Sequence, residues 1–522
     1  MLVWKNFPNK RKEYTIVSEQ WSKIVFHQPI WRAKARFFIT RLLTYFSLLL
    51  LPVWIPKLLT LHPLFHFLLI ISYLLFLFSQ WYLLAKEIDH RFKIHVKTNS
   101  SLERTLYRVL AGQAFMILYF NLVSFAPISL LNHFYWGTWV ALDLYYSWPT
   151  RGKIIQESVS SDFNEYKFLD GFEKTTFFLI ILTVLISIPA IPFFDSIEVL
   201  RLYLDPQGYI HNIFWNYLQI ISFPFHKFPG LLHLSYVLYF YLVSAVILLI
   251  SFYSLVRYFV GRRLSILGTY ALVSCWAFST VMQASFLELI FSTAALSWLW
   301  AMFWTLRAGN YRVGLILGMI NVWISLLHPG YYFLYWLQIF YLFYLSQSTL
   351  TLWYRQQVFR YTILGGIISF LIFLTHQDHN LLSWQLGQWF NYYFPAAITH
   401  LEKSFFALGP IALIVLFIIK PKSPNQYWKA LVAQKKIYDL LMLFLCLLIL
   451  GLLIFPPIFG IYLVLIFAVL LCIIPLEHLF LLIQHVKSQR NIIFLSYLII
   501  CLLDSHMEGR VKILIGQFIR PF

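Results

Sequence analysis

Apolar runs of roughly 17–25 residues, separated by turns rich in Lys and Arg, recur along most of the chain. A run of that length can cross the ~30 Å hydrocarbon layer of a bilayer as a helix, the form in which a single segment satisfies its own backbone hydrogen bonds. The pattern predicts an all-α, polytopic integral membrane protein with about 13–16 transmembrane helices. Lys/Arg bias orients them, because turns that stay on the cytoplasmic side collect positive charge.

A first pair of spans, near 43–60 and 64–84, returns to the basic loop "KEIDHRFKIHVKTNSSLERTLYR". Pro52 and Pro56 predict a kink in its first member. A second pair, near 107–131 and 133–148, returns to "PTRGKIIQESVSSDFNEYKFLDGFEK", whose acidic residues read as a solvated face. Spans near 175–194, 232–256, 264–282 and 285–305 follow, with Arg257, Arg262, Arg263, Arg307 and Arg312 in the inner turns. Arg355 and Arg360 mark the next inner loop, before a span near 361–376. A span near 404–420 returns to the basic "KPKSPNQYWKALVAQKK", and spans near 437–455, 458–484 and 491–503 finish the chain, with Lys487 and Arg490 inside. The implied organisation is a basic segment 1–41, a transmembrane module 42–148, a cytoplasmic linker 149–174 and a second module 175–522. The second module carries external loops 195–231 and 376–403.

Composition agrees with the pattern. The chain of 522 residues is 60% hydrophobic and 12% charged, more apolar than a soluble core can bury. Its net charge of +19 is accounted for by basic loops facing anionic membrane lipids, so no nucleic acid is implied. Residues 1–41 hold nine Lys/Arg against Glu13 and Glu19, and no cleavable signal is visible. A cytoplasmic N-terminus and a multi-pass location in a bacterial cytoplasmic membrane, or an equivalent one, are expected. Cys275, Cys446, Cys472 and Cys501 lie inside apolar runs without metal spacing and read as buried thiols.

On this topology the unusual polar residues gather on the outer face. Asp195, Glu198, Arg201, Asp205, His226 and Lys227 lie in the first external loop. His376, Asp378, His379, His400 and Glu402 lie in the second, and Asp504, His506, Glu508 and Arg510 in the tail. Ionisable groups near membrane depth are costly and tend to pair or to serve a site. Asp195 follows a span directly and opens "SIEVLRLYL", which has the spacing of an interfacial amphipathic helix. Desolvation there would raise its proton affinity and suit it to act as general base on a hydroxyl. The same residue with Glu198 three positions on is equally a capping-box pattern. "HPLFH" and "HQDH" suggest a divalent metal only weakly, since no further ligand set accompanies them. No cofactor is required by the sequence, and no Walker loop, GxGxxG or GxSxG elbow is present.

Five stretches carry a family resemblance. They are "FFDSIEVLRLYLDPQGY", "HKFPGLLHLSYVLYFYLVSAVILLISFYSLVRYFVGRRLSILGTYALV", "SFLELIFSTAALSWLWAMFWTLRAGNYRVGLILGMINVWISLLHPGYYFL", "NYYFPAAITHLEKSFFALGPIALIVLFII" and "SHMEGRVKILIGQFIRP". Over about 175–522 the chain resembles the GT-C class of polytopic glycosyltransferases, of the protein O-mannosyltransferase and aminoarabinose transferase type. It departs from that pattern where Asp195 and Glu198 are three apart and where Val511 follows Arg510. The resemblance implies transfer of a sugar from a polyprenyl-phosphate carrier to a glycan, lipid or protein acceptor on the non-cytoplasmic face. It implies catalytic roles for Asp195 and Glu198, and contacts to substrate or carrier phosphate from Arg201, Lys227, His506, Glu508 and Arg510. A lipid-linked-sugar flippase and a non-catalytic subunit of an envelope complex are the alternatives. Aromatic residues of "HNIFWNYLQ" would stack on a sugar, line a lipid groove or form an interfacial belt.

Overall fold

The computed structural model describes residues 63–92, 94, 100–123, 126–147, 169–187, 201–202, 212–222, 225–226, 229–275, 278, 286–305, 310–318, 320, 352–374 and 487–504. Among them every regular element is helical and none is a strand. In chain order these are α1 (Pro63–Arg91), α2 (Ser101–Val123), α3 (Ile128–Ser147), α4 (Gly171–Ile186), α5 (Asn212–Ile221) and α6 (Pro229–Leu238). A π-helical turn, Tyr239–Val243, joins α6 to α7 (Ser244–Phe259). Then come α8 (Arg262–Ser274), α9 (Phe286–Thr305), α10 (Leu352–Leu374) and α11 (Lys487–Asp504).

Among the described residues two segments are long and apolar enough to cross a membrane, Leu68–Asp89 in α1 and Ser235–Phe259 through α6, the π turn and α7. Their 22 and 25 residues span about 33 and 38 Å at 1.5 Å per residue. The second segment forms the axis of the core: α7 packs against α2, α8 and α9, and α6 against α1. Helices on both sides of the 149–174 segment therefore share one hydrophobic core.

α1 and α2 form a close antiparallel hairpin whose spacing is set by Gly112. A Cβ built there would lie 1.9 Å from the carbonyl oxygen of Trp81, so no larger residue fits without separating the helices. Gly314 and Gly318 do the same for the helical stretch 313–318 against α10, where a Cβ on Gly318 would come within 2.4 Å of the Gly365 backbone. Inside a bilayer such small residues let backbones approach, and dispersion replaces the hydrophobic drive.

Several boundaries differ from expectation, for one physical reason. Apolar length measures the membrane, whereas a helix continues as long as its hydrogen bonds and charges are satisfied. α1 runs on to Arg91 and α2 begins at Ser101, so most of the expected basic loop between them is helix. There Lys86, Asp89, Glu103 and Arg108 are buried rather than solvated. α10 begins at Leu352, which puts Arg355 and Arg360 inside the helix instead of in a loop before it. α8 is shorter than the expected 264–282 span: it stops after 13 residues, at Ser274. The expected external loop 195–231 contains α5 and the start of α6. Cys275 and Cys501 are buried free thiols, and the Cys275 thiol donates to the Ala271 carbonyl at 3.1 Å.

Candidate functional site

Of the residues expected to act at the outer face, Arg201 is described. Asp195, Glu198, Lys227, His506, Glu508 and Arg510 lie outside the described residues. The Arg201 guanidinium sits over the ring of Trp215, 5.8 Å from its centroid. That distance allows a cation–π attraction and fixes the side chain against α5. His226 meets the Gln219 carbonyl through Nε2 at 3.0 Å, so both side chains are oriented by the same short helix.

α5 earns its position by its sequence. In "NIFWNYLQII" the apolar residues recur on one face, and Phe214, Trp215, Tyr217, Leu218, Ile220 and Ile221 are all buried. The helix packs on α2 and α3. The Tyr73 hydroxyl of α1 donates to the Ile221 carbonyl, and the Phe225 ring meets the Tyr73 ring edge-on at 5.2 Å. Tyr73 lies ten residues into α1, about 15 Å from its start. α5 is therefore a plug inserted among helices. Trp215 and Tyr217 do not form a water-facing sugar platform or a lipid-facing belt. The sequence clue was the 3.6-residue recurrence of large apolar side chains inside a segment too short to be counted as a span.

At the opposite ends of these helices the structure assembles buried charges that the sequence did not single out. Asp89 of α1 accepts from the Tyr107 hydroxyl at 2.6 Å and lies 3.4 Å from Arg108 Nε. The Arg108 guanidinium also donates to the Tyr82 hydroxyl and covers the Tyr82 ring at 5.0 Å. Glu103 of α2 accepts from the Trp300 indole of α9 at 3.0 Å, and Trp300 stacks on Trp304 at 5.2 Å. Glu103 reaches this position because Ser100 caps α2, its hydroxyl accepting from the Glu103 amide at 3.0 Å.

The most connected group joins α4 to α8. Asp170 and Glu173 form a reciprocal capping box at the start of α4, each side chain accepting from the other's backbone N–H at 2.8 and 2.9 Å. The Glu173 carboxylate then takes a two-pronged bond from Arg262, both N···O distances being 3.0 Å. Those hydrogen bonds hold the Arg262 guanidinium above its ordinary pKa. Arg263 lies 3.3 Å from Asp170 and donates to Asn491 at 2.9 Å. Glu173 is only 2% exposed, so it is not part of a solvated acidic face. The signal that would have found it is the "DGFE" capping box just before an apolar run.

Together these contacts bring several turns of matching predicted sidedness to one end of the bundle. Arg262 and Arg263 meet Asp170 and Glu173, and Arg312 donates to the Phe92 carbonyl. Among the described residues no group of His, Cys, Asp and Glu has the arrangement to hold a metal ion. Compared with family models, curated proteins and solved structures, the chain matches none.

Proposed function

We propose that the chain is a polytopic membrane glycosyltransferase, with a cytoplasmic N-terminus, that moves a sugar from a polyprenyl-phosphate carrier to an acceptor on the non-cytoplasmic face. The carrying observation is the sorting of charge between the two ends. Turns expected inside are tied together by Glu173–Arg262 and Arg312–Phe92, while Arg201 and α5 lie toward the other end. That sorting supports the topology from which the outer site is built.

In this reading the acceptor hydroxyl attacks the anomeric carbon. A new C–O bond forms there as the bond to the carrier phosphate breaks. Asp195 takes the hydroxyl proton, Glu198 assists it as the second carboxylate of the loop, and the electron pair leaves with the phosphate. Arg201, Lys227 and Arg510 offset the charge that develops on the phosphate oxygens, and His506 and Glu508 complete the tail's contribution. Trp215 holds Arg201 by its ring, and a guanidinium so oriented is suited to a phosphate group.

The test is purified full-length protein with a polyprenyl-phosphate sugar, comparing Asp195→Asn with the parent. Turnover should fall by about a hundredfold or more while carrier lipid still binds. Undiminished turnover would remove the base, and carrier binding without any transfer by the parent would point to a flippase instead. Cysteine labelling at positions 195 and 508 should report the same face of the membrane.

A further inference from the structure

A cavity of about 610 Å³ opens between the N-terminal ends of α4 and α11 and the first turn of α8. It lies at the end of the bundle opposite α5 and owes nothing to the transferase reading. Its walls include Asp170, Phe172 and Thr175 of the α4 end, Arg263 of α8, and Arg490 and Asn491 of α11. Arg263 is fixed in place: its guanidinium lies 5.4 Å from the Phe172 ring centroid and 4.8 Å from that of Phe494. The Asn491 and Asp170 oxygens hold its other edge.

Charge in this region does not balance. Glu173 answers Arg262 and Asp170 answers Arg263, but Arg490 makes no ion pair with any described residue. The Nε atoms of Arg263 and Arg490 are both buried and lack a hydrogen-bond partner. A buried guanidinium N–H without an acceptor is costly, and few such groups persist without an occupant that satisfies them. Lys487 and Arg490 also begin α11, which has no acidic residue in its first turn. Cations at the positive end of a helix dipole call for an anion nearby. Among the described lining residues two guanidiniums against one carboxylate leave one positive charge, the complement of a phosphodiester.

The surface beyond the cavity indicates what carries that anion. On α4, Phe178 and Ile181 are 62% and 44% exposed, a turn past Thr175. On α11, Leu495, Ile499 and Leu502 follow Asn491 at helical spacing and are 42%, 47% and 39% exposed. These two apolar stripes run from the cavity toward the middle of the helices. A soluble phosphate would make no use of them, whereas acyl chains would.

We propose that this cavity binds the phosphate of an anionic phospholipid from the leaflet facing the basic turns, with Arg490 and Arg263 as its ligands. The Asn491 amide and Thr175 hydroxyl bound the site, and the chains lie along α4 and α11. Basic pockets between transmembrane helices on the cytoplasmic side are suited to such headgroups.

The test uses the full chain in an uncharged mild detergent, with phosphatidylglycerol and phosphatidylcholine offered in equal amount and retention read by native mass spectrometry. Phosphatidylglycerol should be retained in preference. Arg490→Gln should lower its occupancy about tenfold, Arg490→Lys should restore most of it, and Arg360→Gln, an exposed charge on α10, should change nothing. Circular dichroism and gel filtration of each variant confirm that loss of lipid is not loss of fold. Equal retention of both lipids, or an unaltered Arg490→Gln, overturns the site. Displacement of the lipid by excess inorganic phosphate, itself retained, overturns the lipid as the natural source and leaves a soluble phosphate in its place.

Discussion

The two ends of the helix bundle use charge differently. At the end with the basic turns, Glu173 receives two bonds from Arg262, and Asp89 lies between Tyr107 and Arg108. At the other end, Arg201 rests on an indole ring and His226 on a main-chain carbonyl. The first arrangement satisfies carboxylates within the fold and ties helices together. The second sets one guanidinium on a ring and one imidazole on a carbonyl of the same short helix, α5. At the basic end, the α4–α11 cavity aside, carboxylate–guanidinium pairs serve assembly, whereas at the other end the contacts of Arg201 and His226 orient single side chains on α5.

The strongest way to break that contrast is Asp89→Ala. Asp89 and Arg108 have side chains 8% and 10% exposed, so the variant would withdraw a carboxylate from a buried guanidinium and from the Tyr107 hydroxyl, leaving Arg108 its bond to Tyr82. Loss of one partner of a buried pair costs about 3–5 kcal/mol. A fall in the unfolding midpoint in mild detergent is the expected result, and an unchanged midpoint would show that the basic end does not depend on its pairs. The double variant Asp89→Leu with Arg108→Met sharpens the point, since an apolar replacement of both should recover much of the loss.

Glu173→Ala comes next, at about 2–4 kcal/mol. It removes one half of the α4 capping box as well as the Arg262 pair. The figure is held below that for Asp89 because Arg262 is 35% exposed and water can take over part of its solvation. Glu173→Gln separates the two contributions. The amide keeps a side-chain acceptor for the Asp170 N–H, so whatever is still lost measures the charge on Arg262. Trp300→Phe is smaller again, at about 1–2 kcal/mol, because it withdraws one indole donor from Glu103 and leaves the stacking on Trp304 largely in place.

Helix content was legible from hydropathy alone, and one pair of turns given the same side by their charge is found in contact. Arg262 and Arg263 were expected on the side of the 149–174 segment, and they are bonded to Glu173 and Asp170 at its edge. What hydropathy could not supply was the fate of the charges themselves. A carboxylate in a basic loop and one buried against a guanidinium look alike in a window average, and Asp89, Glu103 and Glu173 were passed over for that reason. α5 escaped for the converse reason: at 10 residues it is too short to cross a membrane, yet six of its large apolar side chains are buried by neighbours from distant parts of the chain. Only tertiary packing distinguishes such a plug from an interfacial loop.

The smallest expected effect on stability bears most directly on the end that carries α5. Arg201→Gln removes a cation–π contact at 5.8 Å from a partly exposed side chain, which costs under about 1 kcal/mol. If the outer end is a ligand site, the same substitution should lower transfer from a polyprenyl-phosphate sugar by about tenfold or more while the unfolding midpoint hardly moves. Arg201→Lys should keep part of the ring contact and the charge but lose the planar fork, so its activity should fall between the two. Trp215→Leu is the complementary change. It preserves apolar bulk in α5 but withdraws the ring from the guanidinium, and on the proposed transferase reading it should raise KM for the carrier more than it lowers kcat. A stability loss for Arg201→Gln as large as that for Glu173→Ala would mean that both ends use charge for assembly, and the contrast between them would disappear.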